Sequence, residues 1–348
     1  MACLFISGNI SQIHPVWKAE MKSLFIVQLV LALAFTARAE TSSYNPLAVS
    51  ADAAPKIVDL TVHDAARDRD IPLRAYLPTN TAPVPVILFS HGLGGNREGS
   101  KFMGEHWAAR GYVAVFLQHP GSDDSAWKGK PPGELMPDLE RAASLENFLL
   151  RVQDVPAVLN QLEIWNAETN HPLAGRMNLK KVGMSGHSFG AITTEAVSGE
   201  TLPISGQQFT DARITAAIAF SPSSPKAGSA AKAFGAVKIP WMLMIGTKDV
   251  APIGHETVES RLTVYPNLKL APKYEVVLNN AEHSVFTDRA LPGDREPRNP
   301  NHHRVILALS TAFWDAYLKD DAAALSWLNS ESPRSVMEAA DQWQFATH

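Results

Sequence analysis

The segment Gly186-His187-Ser188-Phe189-Gly190 sets a serine between two glycines in the pattern G-x-S-x-G. It follows a short apolar run, Lys180 to Met184, and precedes Ala191 to Val197, which reads as helix. On such a strand-to-helix turn the serine backbone is strained, its Oγ is exposed, and small neighbours let strand and helix approach. A serine hydroxyl is a weak nucleophile near neutral pH, so it needs a base in hydrogen-bond reach and a carboxylate to orient that base. His283 follows the apolar run Tyr274 to Leu278 through Asn279-Asn280-Ala281-Glu282, and Asp249 follows Trp241 to Ile245 through Gly246-Thr247-Lys248. The chain order Ser, acid, His, with the acid after a late strand and the His after the last, is one in which such a set assembles. Asp211 and Glu282 are further candidate acids, and the position one strand before Asp249 holds Ser221. The chemistry these residues predict is acyl transfer, with Ser188 attacking, His283 carrying the proton and Asp249 fixing the imidazole.

Acyl transfer passes through a tetrahedral oxyanion, which pre-aimed backbone N–H groups stabilise; losing one such donor costs roughly 3 kcal/mol. The amide of Phe189 is one expected donor, and Leu93 in the turn His91-Gly92-Leu93-Gly94-Gly95 is the other. His119, at a strand end before Pro120-Gly121, and Trp127, in the Gly/Pro/Asp-rich loop from Gly121 to Pro137, are candidates to line the substrate pocket. His302-His303-Arg304 lacks further ligands at metal-binding spacing and reads as a solvated helix start. No metal or other cofactor is expected.

The elements that must hold these residues are apolar runs of strand length alternating with helical patterns, the mark of a mostly parallel sheet flanked by helices. About eight strands are predicted. Lys56 to Val62 and Ile71 to Tyr76 form a leading antiparallel hairpin around a polar turn at Arg67 to Asp70. Val84 to Phe89, Tyr112 to Leu117, Lys180 to Met184, Ile214 to Phe220, Trp241 to Ile245 and Tyr274 to Leu278 follow. Helices are expected up to Arg110, from Leu139 to Trp165 with an interruption at Pro156, and from Val305 to Tyr317.

Met21 to Ala39 carries a basic start at Lys22, an apolar run from Leu24 to Phe35, and small residues Ala37 and Ala39 before Glu40, as a secretory signal does. Translation is expected to start at Met21 and cleavage to follow Ala39, leaving 40–348 as a single catalytic domain, periplasmic or secreted. About a dozen apolar residues are too few to span a ~30 Å hydrocarbon core, so no stable membrane insertion is expected. Cys3 is the one cysteine, which excludes an internal disulfide. A net charge of −4 without a basic stripe argues against a nucleic-acid partner.

Phe89-Ser90-His91-Gly92-Leu93-Gly94, Gly186-His187-Ser188-Phe189-Gly190, Gly246-Thr247-Lys248-Asp249 and Glu282-His283-Ser284 together resemble the bacterial α/β-hydrolases described as dienelactone-hydrolase-like. These are related to platelet-activating-factor acetylhydrolases and cutinase-type polyester hydrolases, and the likeness spans about residues 70 to 290. It implies an α/β-hydrolase fold and a serine esterase acting on a small, lipid-like or polyester-like ester. The chain departs from true dienelactone hydrolases in having serine rather than cysteine as nucleophile. It departs from the acetylhydrolases at Ser221, where their acid would stand, and from the polyester hydrolases at Ala191, where a glycine is usual. An amidase or peptidase of the same fold, and a non-catalytic ligand-binding relative, are the alternatives.

Overall fold

Runs that are apolar on every residue, such as Val113-Ala-Val-Phe-Leu117, are buried on both faces, as strands inside a parallel sheet must be. The computed structural model describes residues 44–347 except 51–52, 255 and 292. The expected signal segment Met21 to Ala39, and Cys3, lie outside the described residues. Among the described residues nine strands form one sheet: β1 (Lys56–Asp64), β2 (Arg69–Leu77), β3 (Val84–Ser90), β4 (Val113–Leu117), β5 (Met177–His187), β6 (Ile214–Phe220), β7 (Trp241–Lys248), β8 (Lys273–Glu282) and β9 (Gln342–Ala346). Their order is β1-β2-β4-β3-β5-β6-β7-β8-β9. Strands β4, β3, β5, β6, β7 and β8 run parallel, while β1, β2 and β9 add antiparallel margins.

The helices are α1 (Lys101–Ala109), α2 (Leu135–Ala142), α3 (Leu145–Ala167), α4 (Phe189–Val197), the short α5 (Ala230–Phe234), α6 (Val258–Arg261) and α7 (Val264–Asn267), then α8 (Pro300–Leu318) and α9 (Ala322–Leu328). On one face of the sheet, Val152, Val155, Leu159 and Leu162 of α3 share a buried cluster with Leu73, Val86, Val115 and Met184. On the other face, Trp314 of α8 meets Trp107 of α1 edge to face, at 6.1 Å between ring centroids.

Three expectations are corrected. Among the described residues the strands number nine rather than about eight, because the short β9, Gln-Trp-Gln-Phe-Ala, mixes polar with apolar residues and lacks the continuous apolar run used to find the others. The helical stretch Leu139 to Trp165 is interrupted not at Pro156 but at Ala143-Ser144, where Ser144 turns extended and its Oγ accepts the Asn147 N–H at 3.1 Å. Pro156 sits inside α3, whose buried apolar face outweighs an interior proline's cost of about 3 kcal/mol. The last long helix begins earlier than Val305, at Pro300, whose fixed φ suits a first helical position. No helix among the described residues is long and apolar enough to cross a membrane.

Candidate active site

Because β3, β5, β6, β7 and β8 all run the same way, the segments leaving their carboxyl ends gather at one edge of the sheet. His91 follows β3, Ser188 follows β5, Ser221 follows β6, Asp249 follows β7 and His283 follows β8. The sharpest of these turns is at Ser188, whose φ of 57° and ψ of −114° lie where side-chain-bearing residues seldom go. The glycines around it are sterically required. A Cβ on Gly190 would collide with the Ser90 carbonyl, and one on Gly186 with the Gly190 carbonyl. A Cβ on Gly246 would likewise collide with the Ala281 carbonyl, so this glycine lets the Asp249 and His283 segments close on each other.

The three side chains expected to act together are in contact. Ser188 Oγ donates to His283 Nε2 at 2.9 Å, and His283 Nδ1 donates to Asp249 Oδ1 at 2.6 Å. Asp249 is fully buried. Burial works to raise its pKa, but the His283 imidazole, Arg261 and the Ser221 hydroxyl outweigh it and bring the pKa down to about 2. The other candidate acids are engaged elsewhere: Asp211 pairs with Arg213, and Glu282 accepts the Arg295 N–H.

Ser221 and Arg261 support Asp249, a role that nothing in the sequence around either residue marks. Ser221 Oγ donates to Asp249 Oδ2 at 2.7 Å from a buried position with φ of 58°. Arg261 Nε lies 3.3 Å from Asp249 Oδ1 and donates to the Asp249 carbonyl at 3.0 Å, while its Nη1 donates to the Ser221 and Pro222 carbonyls. The serine at the earlier acid position is thus a donor to the acid one strand later. His187 braces the other partner, its Nε2 donating to the His283 carbonyl at 2.9 Å. Burial, then the neighbouring His283, hold the His187 pKa well below the usual imidazole value, so it stays neutral.

The turn after β3 is aimed by its own first residue. The backbone N–H of His119 donates to His91 Nε2 at 3.0 Å, which leaves His91 Nδ1 as the protonated nitrogen, donating to the Gly92 carbonyl at 2.6 Å. Gly95 N–H donates to the same carbonyl at 3.0 Å. In a planar trans peptide the N–H points opposite the C=O, so fixing the Gly92 oxygen also fixes the direction of the Leu93 N–H. Neither the Leu93 nor the Phe189 amide donates to a protein acceptor among the described residues. A Cβ on Gly92 would stand 3.4 Å from Ser188 Cβ, which puts this turn directly against the serine.

Of the two expected pocket residues, one is corrected. His119 is completely buried, its Nδ1 donating to Asp154 Oδ2 and its Nε2 accepting the Ser90 hydroxyl, each at 2.9 Å. With both nitrogens engaged inside the protein, it braces the β3 turn and does not line a pocket. Burial and the nearby Arg151 bring its pKa down to about 4, so it is neutral at physiological pH. Trp127 is half-buried beside the turn, its Nε1 donating to the Gly94 carbonyl at 2.8 Å. A Cβ on Gly94 would run into Leu139 and Trp127, so these two side chains wall that end of the turn. His302 is also corrected: it is buried in α8 and donates to the Asn279 carbonyl at 3.0 Å, rather than standing in solvent. No group of three or more His, Cys, Asp or Glu is arranged for a metal among the described residues.

A hydroxyl, an imidazole and a buried carboxylate in series can make the serine nucleophilic by general-base catalysis and can return the proton to a leaving group. Comparison with protein-family models and with curated proteins gives no match for the chain.

Proposed function

We propose that this protein is a serine hydrolase of carboxylic esters with an α/β-hydrolase fold. The observation that carries the reading is the continuous relay Ser188–His283–Asp249 on a strained strand-to-helix turn, beside two uncommitted amides. His283 takes the Ser188 proton as Oγ attacks the ester carbonyl. Asp249 holds the imidazole in the tautomer that accepts at Nε2 and stabilises the cation that forms. Leu93 and Phe189 N–H receive the oxyanion, which strengthens their hydrogen bonds in the transition state over the ground state. His283 then protonates the departing alcohol, and water, deprotonated by the same imidazole, releases the acid from Ser188. Trp127 and Leu139 form an apolar wall for the acyl or alcohol group, which suits a lipid-like or polyester-like substrate better than a charged one.

The test is hydrolysis of p-nitrophenyl esters from acetate to palmitate, together with labelling by a fluorophosphonate. Wild type should turn over at least one ester and take up the label, and Ser188→Ala should do neither. An unlabelled wild type without ester turnover would sink the reading. Labelling without ester turnover would move the proposal to amides.

A further inference from the structure

The polar network beneath the oxyanion turn has a cation at its centre that the relay does not use. Arg151, on α3, is completely buried. Burial lowers its pKa to about 9, which leaves it charged at neutral pH. Its Nη2 donates to the His91 carbonyl and, at 3.1 Å, to Ser90 Oγ. Nη1 donates to Ser122 Oγ at 2.9 Å, and Nε to Thr193 Oγ1 at 3.1 Å. The guanidinium carbon also lies 4.6 Å from the centroid of the Phe189 ring.

These partners belong to both sides of the oxyanion site. His91 and Ser90 begin the turn that carries Leu93. Ser122 accepts the Gly94 N–H through its carbonyl at 2.9 Å, holding the far end of that turn. Thr193 Oγ1 donates to the Phe189 carbonyl at 3.0 Å and so ties Arg151 to the helix start that carries the second amide. We infer that Arg151 is a positioning residue that sets the spacing between the Leu93 and Phe189 amides. This inference rests on the ester-hydrolase reading.

The physical argument concerns rigidity. Two amides stabilise an oxyanion only if their separation is fixed before charge develops, because adjusting it during the reaction costs reorganisation energy. The turn after β3 and the start of α4 belong to separate strand–helix crossovers, and a planar guanidinium can hold partners on both at fixed angles. A lysine offers one nitrogen and cannot span the same set. Asp154 and Asp123 both favour the Arg151 charge, and Asp154 also pairs with Arg67 and Arg69 and accepts from His119.

The test compares Arg151→Met and Arg151→Lys with wild type in the full chain, reading kcat, KM, melting temperature and inhibition by an alkyl trifluoromethyl ketone. That ketone adds the serine hydroxyl to give a tetrahedral oxyanion, so its affinity reports the amide pair. Arg151→Met should lower kcat about 100-fold with KM within about twofold, and weaken the ketone in parallel. Arg151→Lys should recover about tenfold of the loss. If Arg151→Met does not fold, Thr193→Val and Ser122→Ala carry the test. Each removes one acceptor of the guanidinium and should lower kcat and ketone affinity together by about three- to tenfold at unchanged KM. A folded variant with kcat within threefold of wild type, or one whose KM rises while ketone affinity is kept, overturns the inference and leaves the reading intact. A wild type that hydrolyses no ester removes the reading and the inference with it.

Discussion

Asp249 keeps its charge in a fully buried position because donors from three elements meet its carboxylate: His283 Nδ1, Ser221 Oγ and Arg261 Nε. Asp249→Asn should therefore do more than remove a charge. The amide can present its NH₂ to His283 and favour the tautomer protonated at Nε2, which cannot accept the Ser188 proton. A kcat loss of about 10⁴-fold with an unchanged fold is expected, read by ester hydrolysis beside circular dichroism. Ser221→Ala takes away one charged hydrogen bond and leaves the relay, so a loss of about tenfold is expected in the same assay. The meeting of Ser188, Asp249 and His283 was legible in sequence because each lies within a few residues of the end of an apolar run and belongs to a residue type with few other uses there. Ser221, Arg261 and Arg151 were not. Their roles depend on which segments meet in space, and serine and arginine are common in ordinary turns and helices. His119 misled for a related reason, since a strand-end histidine can point outward or inward and the sequence does not state which.

At the scale of elements, the strands leading to Ser188, Asp249 and His283 were readable because burial on both faces leaves an uninterrupted apolar signature. The edge strand β9 was not, since its five residues mix polar and apolar side chains. That edge contains a titrating contact. Glu275 of β8 is buried and accepts the Gln344 side-chain N–H from β9 at 2.5 Å. Burial raises its pKa from 4.5 to about 7, against the smaller opposing effects of Gln344 and Lys273. Between those two values the folded chain binds more protons at this site than the unfolded chain, so this contribution to stability falls as pH rises from about 4.5 to about 7 and is level beyond. Glu275→Gln removes the titration. It should stabilise the protein at pH 8 by about 1–3 kcal/mol and change little at pH 4.5, as measured by denaturant unfolding at both pH values. Equal effects at the two pH values would contradict the assignment.

For the molecule as a whole, the alternation of apolar runs and helical patterns was enough to read a mostly parallel sheet between helices. The strand order was hidden, because nothing in a run of valines and alanines says that β4 lies between β2 and β3. The described chain from Asn45 onward is one compact unit, and its first residues are tied down. Arg110 Nη1 donates to the Ala48 carbonyl at 2.6 Å, and His106 Nε2 donates to the Pro46 carbonyl at 3.3 Å. A chain starting at Lys56 should therefore melt lower than one starting at Asn45, as scanning calorimetry can determine. The backbone angles of Ser188 reach further than the proposed reaction. A side chain held at φ 57° and ψ −114° costs on the order of 1–3 kcal/mol, a cost that glycine there would largely avoid. Ser188→Gly should thus give a protein that is inert yet melts a few degrees higher than wild type. Selection for durability alone would favour that replacement, so under the proposed function activity and robustness are set against each other at a single residue.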